Sequence, residues 1–67
     1  MNDITLNGRS QQAPYGTTIA VLLQQIGLGD RRVAVECNGE IVPKSQHATQ
    51  VLAAGDRIEI VHAIGGG

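Results

Sequence analysis

Only one stretch of this 67-residue chain has the spacing of an amphipathic helix, with Ile19, Leu22, Leu23 and Ile26 recurring at i, i+3, i+4 and i+7. A helix with a single apolar stripe is stable only when that stripe lies on one apolar surface. The remainder of the chain must supply the surface, and its pattern is that of strands. Thr17 or Thr18 stands where a helix N-cap belongs, and Gly27 stands at the place of a C-cap glycine. Val21 falls on the opposite, solvent side of the helix.

Ile4 and Leu6 alternate with Asp3 and Thr5, and Asn7-Gly8 is the left-handed pair a tight hairpin uses. The return strand, about Arg9 to Ala13, is polar and belongs at a sheet edge before Pro14 and Gly16 end it. Val33, Val35 and Cys37 alternate with Ala34 and Glu36, and Asn38-Gly39 repeats the hairpin signal ahead of Ile41-Val42 and the breaker Pro43. The mixed segment Lys44–Ala54 holds one helical turn near Thr49–Leu52, and Gly55-Asp56 forms a turn. Arg57–Ile64 is the richest β-branched run, so it is placed centrally beside the first strand, with Ile58 and Ile60 inward and Glu59 and Val61 outward. The expected fold is a two-layer α+β domain, a mixed sheet of four to five strands on one main helix.

Composition narrows the function. The chain is 42% apolar and 16% charged, the balance of a folded chain. At this length about 60% of the unfolded surface is hidden on folding, which leaves no room for a second domain. A core this small is not expected to enclose a substrate cavity, which counts against a self-contained enzyme. Residues 1–33 carry Arg9, Arg31 and Arg32 against Asp3 and Asp30, and residues 34–67 carry Lys44 and Arg57 against Glu36, Glu40, Asp56 and Glu59. Neither half is a basic footprint, and Tyr15 as the one aromatic residue gives no stacking platform, so no nucleic-acid partner is expected. No apolar run approaches the roughly 18 residues of a membrane span, and no basic-then-apolar signal opens the chain. No membrane partner is expected, and the expected location is the cytoplasm. The single cysteine, Cys37, excludes an internal disulfide framework and any four-cysteine metal site.

Nine residues are glycine, and three of them are the final Gly65-Gly66-Gly67. Glycine lacks a Cβ and loses most freedom on ordering, so residues 1–64 read as the domain and 65–67 as a flexible tail. Extended, the tail carries a terminal carboxylate roughly 10 Å beyond Ile64. Such an end is either a frayed terminus or a reactive group able to thread a channel that any side chain would block. A carboxylate is ionised at neutral pH and inert to nucleophiles until activated, for instance by adenylation with ATP. Nothing in this chain binds ATP, so the second reading requires a partner enzyme.

The element order, the segment Val33-Ala34-Val35-Glu36-Cys37-Asn38-Gly39-Glu40-Ile41-Val42-Pro43, the run Gly55-Asp56-Arg57-Ile58-Glu59-Ile60-Val61 and the Gly66-Gly67 ending resemble the ThiS family, the sulfur carriers of thiamine biosynthesis. The resemblance covers nearly the whole chain. It implies a ubiquitin-like β-grasp fold and a protein substrate, not a catalyst. It implies that Gly67 is adenylated by a ThiF-like adenylyltransferase, converted to a thiocarboxylate with sulfur from a sulfur-donating enzyme, and used by a ThiG-like thiazole synthase. Gly65 and Gly66 would thread the partner's channel; no cofactor is held by the chain, and ATP is used by the activating partner. The small subunit of molybdopterin synthase shares the fold and ending but usually lacks the Asn-Gly-Glu-Ile-Val-Pro segment. A non-covalent β-grasp interaction module with an inert tail is the alternative from another class.

Val61, outward on the last strand, and Ile64, next to the tail, are the expected partner-docking residues. Other features weigh less. Gly27-Leu28-Gly29 would open a dinucleotide loop but follows a helix, and position 32 is Arg. Cys37, His47 and His62 match no local metal or nucleophile spacing, and are read as a buried cysteine and two surface or rim histidines. Arg31-Arg32 reads as a solvated loop pair or a partner contact.

Overall fold

The computed structural model describes residues 1–62. Strands β1 (Asn2–Leu6) and β2 (Arg9–Ala13) form one hairpin, and β3 (Val33–Cys37) and β4 (Glu40–Val42) form a second. Helix α1 (Ile19–Gln25) lies between them in the chain, and β5 (Arg57–His62) follows a 3-10 turn at Lys44–Gln46. The sheet order is β2-β1-β5-β3-β4, so β5 is central. It runs parallel to β1, with Thr5 opposite Arg57 and Leu6 opposite Ile58, and antiparallel to β3, from Val33 opposite His62 to Cys37 opposite Ile58. The polar β2 is an edge strand, as its sequence requires. The expected continuation of the last strand to Ile64, and the tail Gly65–Gly67, lie outside the described residues.

Both Asn-Gly pairs adopt the left-handed conformation at both positions, with φ of +50° and +82° at Asn7-Gly8 and +54° and +86° at Asn38-Gly39. This handedness matches the twist of the strands they join. Thr18, not Thr17, caps α1, its hydroxyl accepting from the Val21 amide at 3.2 Å. Thr17 is buried, and its hydroxyl donates to the Pro14 carbonyl at 2.7 Å. At the other end Gly27, φ +81°, turns the chain, its amide donating to the Gln24 carbonyl and that of Leu28 to the Leu23 carbonyl. That pair of bonds is the Schellman arrangement.

The stripe of α1 supplies Ile19, Leu22 and Leu23 to a core that the sheet completes with Ile4, Val35, Cys37, Ile58 and Ile60. Ile26 packs against it half-buried, and Leu52 is buried within it. The helical turn expected near Thr49–Leu52 forms earlier, at Lys44–Gln46, immediately after Pro43 with its φ of −60°. Residues 50–52 are not helical because they meet the start of α1. The Ile19 amide donates to the Gln50 carbonyl, the Leu52 amide to the Thr17 carbonyl, and Val51 bridges Thr18. With the Ala20 amide donating to His47, the orphan amides of the first helical turn are satisfied. His47 is therefore no surface or rim residue: it is 8% exposed, with Nε2 3.0 Å from the Val42 carbonyl oxygen. No described helix is long and apolar enough to cross a membrane.

Candidate functional site

The candidate site is the end of β5, where the chain leaves the middle of the sheet. Side chains of the two hairpin asparagines hold β5 from either side. Asn7, just past the end of β1, accepts the Ile60 amide on Oδ1 at 2.7 Å, while its own amide donates to the Ile58 carbonyl at 2.9 Å. Its side chain thus extends the β1–β5 ladder beyond the last residue of β1. Asn38 accepts the Arg57 amide on Oδ1 at 2.9 Å and donates from Nδ2 to Asp56 at 3.0 Å. The other Asp56 carboxylate oxygen accepts the Ala53 amide at 2.8 Å, closing the turn that leads into β5. Asn-Gly marked both positions as turns, but the side-chain role was not read from the sequence. Its only signal was an Asn where Gly or Asp would serve the turn equally well.

The sheet face turned away from α1 carries the outward residues of β5. Val61, 55% exposed, stands opposite the exposed Ala34, and Glu59 stands opposite Glu36, whose other neighbour is Ile41, 63% exposed. The predicted parity of β5 holds, with Ile58 and Ile60 buried and Glu59 and Val61 outward. Val61 is thus a solvent-facing apolar residue one position before the last described residue. Ile64 and the glycines Gly65, Gly66 and Gly67 lie outside the described residues.

Cys37 is buried among the core side chains, and burial pushes its thiol above the ordinary value, with the Asp56 carboxylate adding to the rise. Such a thiol is a poor nucleophile at neutral pH. The β3–β5 register places Cys37 opposite Ile58 and His62 opposite Val33, at opposite ends of the strand pair. With His47 buried against Val42, the three side chains are not brought together, and among the described residues no group of His, Cys, Asp and Glu is arranged to hold a metal. Gly27-Leu28-Gly29 is the end of α1, where the Gly27 and Leu28 amides already donate to helix carbonyls and are not offered to a phosphate. Arg31 and Arg32 are exposed in the bend before β3.

The ThiS family model matches residues 4–67. The chain belongs to the ThiS family. It is 40% identical over 65 residues to the sulfur carrier protein ThiS of Bacillus subtilis (strain 168), covering 96% of this chain and 98% of that protein. It is 44% identical over 64 residues to a thiazole synthase of Paramagnetospirillum magneticum, covering 96% of this chain but 20% of that enzyme. The chain thus spans about a fifth of the length of the thiazole synthases it matches. The crystal structure of ThiS from Geobacter metallireducens superposes with a TM-score of 0.82 at 25% identity, over 97% of this chain and 99% of the other. The five-stranded mixed sheet crossed by one helix is therefore the ThiS β-grasp, as the sequence resemblance implied.

Proposed function

We propose that this chain is a sulfur carrier for formation of the thiamine thiazole, acting as a protein co-substrate through the carboxylate of Gly67. The observation that carries the reading is that its 40% identity extends across 98% of the Bacillus subtilis carrier. The likeness thus spans nearly the whole of that carrier.

In the proposed sequence a Gly67 carboxylate oxygen attacks the α-phosphorus of ATP in a ThiF-like adenylyltransferase, and pyrophosphate leaves. Hydrosulfide released by a sulfur-donating enzyme then attacks the acyl carbon, AMP departs with the C–O bond electrons, and loss of the sulfur-bound proton leaves a thiocarboxylate. A ThiG-like thiazole synthase receives the sulfur; the likeness to thiazole synthases supports that acceptor. The domain itself contributes position. The central strand β5, held by β1, β3, Asn7 and Asn38, fixes the point from which residues 63–67 depart. Val61 on the outer face, with Ile64 beyond it, provides the apolar contact that holds the domain while Gly65 and Gly66 pass through a channel too narrow for side chains. The need for an ATP-using partner supports a cytoplasmic location for the carrier.

Mass spectrometry of the protein isolated from its native cell tests the reading directly. A chain ending at Gly67, with one oxygen replaced by sulfur in a fraction of molecules, is the expected result. Deleting Gly67 should abolish loading with thermal stability unchanged, because the new carboxylate falls about 3.5 Å short of a site needing near-contact geometry. Full support of thiamine synthesis by a chain lacking Gly66 and Gly67 would end the carrier reading.

A further inference from the structure

A groove of about 300 Å³ opens behind α1, where the bend that follows the helix meets the start of β3 and the 3-10 turn. Leu23 and Val33 form its apolar part, the buried His47 ring part of its wall, and Arg31, Arg32 and Lys44 its cationic rim. Three of the chain's five Lys and Arg residues thus line one groove in a chain of net charge −1, and among the described residues no carboxylate lines it. All three cations are exposed. Their position relative to the strand end is fixed by register: Val33, in the groove, pairs with His62, the last described residue of β5.

Two kinds of anion suit such a rim, a small phosphate-like ion or carboxylates on a protein surface. A small ion is held tightly by donors fixed in place before it arrives. Here the donors are long, solvated side chains, and the Arg31 amide already donates to the Leu28 carbonyl. An ATP bound at Gly67 is also out of range when residues 63–67 are drawn out in a partner's channel, since five extended residues reach about 17 Å beyond His62. Mobile cations around an apolar slot instead suit multipoint docking to an acidic surface, which raises the association rate and fixes orientation.

We infer that this groove docks an acidic surface segment of the adenylating enzyme, at the mouth of the channel that receives the tail. Carboxylates of that segment face Arg31, Arg32 and Lys44, and an apolar side chain enters between Leu23 and Val33. The inference rests on the carrier reading. It assigns this edge of the domain a role separate from that of Val61 on the outer sheet face.

The test is steady-state adenylation of the full chain by its activating enzyme, comparing wild type with the triple variant Arg31→Glu, Arg32→Glu, Lys44→Glu. The three positions are exposed, and circular dichroism verifies that the fold is kept. The expected result is a KM for the carrier raised about tenfold or more with kcat within about twofold. Raising salt from ~0.05 to ~0.3 M should raise the wild-type KM and lower that of the variant, whose glutamates repel the partner's carboxylates until salt screens them. An unchanged KM, or a loss confined to kcat, overturns the inference while leaving the carrier reading intact. Saturable binding of inorganic phosphate or pyrophosphate to the free wild-type protein, read from the Arg31 and Arg32 amide resonances and lost in the variant, overturns it in favour of a small-anion site. Absence of any wild-type adenylation removes the carrier reading, and the inference with it.

Discussion

Asn7→Gly isolates one side-chain hydrogen bond in the device that holds the central strand. Position 7 sits at φ +50°, so an alanine there would add left-handed strain of about 1–2 kcal/mol and confuse the result. Glycine adopts that conformation freely, and the strain it relieves roughly offsets the extra freedom of the unfolded chain, about 0.5–1 kcal/mol. What remains is the Ile60 amide, deprived of an acceptor at 2.7 Å in a partly buried position past the end of β1. Leaving such a donor unpaired costs about 1–2 kcal/mol. For a domain of this size that lowers Tm by about 6–12 °C. Asn7→Asp keeps an oxygen in place and should retain most of the stability. Asn38→Gly should cost less than Asn7→Gly, because the Asn38 side-chain bonds to Arg57 and Asp56 are exposed and water replaces them. Calorimetry of the three variants, with amide exchange at Ile60, measures the comparison. An Asn7→Gly protein that melts within about 2 °C of wild type, with Ile60 exchange unaltered, would refute the reasoning.

Gly27→Ala should destabilise by about 1 kcal/mol in urea titrations, although the added Cβ meets nothing within 4 Å, because the cost lies in φ +81° alone. Burial raises the folded Cys37 thiol above its unfolded value, so the unfolded chain gives up that proton first. Stability should then fall as pH rises through the ordinary thiol range, and Cys37→Val should flatten that alkaline decline in melting curves. Cys37→Val should also still form the thiocarboxylate; a folded variant that cannot be loaded would give the thiol a role in sulfur transfer. Val61→Asp should raise the carrier's KM for adenylation about tenfold while changing Tm little, and unaltered kinetics would place docking elsewhere.

Most of the architecture was legible because each signal was local and had one physical outcome. The stripe Ile19–Ile26 admits one helix, and the two Asn-Gly pairs admit two hairpins. The β-branched excess at Arg57–Ile64 placed β5 at the centre, and strict alternation put Val61 outward and Ile58 inward. The misreadings fall in 44–54, a segment without periodicity whose conformation is imposed from outside. There the start of α1 recruits the backbone of Gln50 and Leu52, and His47 is drawn in beneath the helix to meet Val42. No spacing within the segment carries that information. The asparagine clamps were hidden for a related reason, since the Asn7–Ile60 bond spans 53 positions and the turn signal explained the residue without it. The tail was legible as chemistry, a run without Cβ atoms, and the role proposed for it rests on the likeness to ThiS carriers.

The central placement of β5 also governs the order in which the domain assembles. Until Arg57–His62 is available, the β1–β2 and β3–β4 hairpins share no ladder, because the strand that separates them in the sheet is the one that joins them. The helix stripe then lies over half a floor, with Ile58 and Ile60 missing from it. Closure therefore waits on contacts between residues more than fifty positions apart, a slow and late event in folding. During synthesis, at about 5–20 residues per second, the nascent chain stays open until its last strand emerges. A chain truncated between Pro43 and Arg57 leaves two hairpins that share no ladder, for proteases to clear. Only a molecule whose β5 has been made and seated has a finished sheet, so completion of folding gates the appearance of the surface from which residues 63–67 continue.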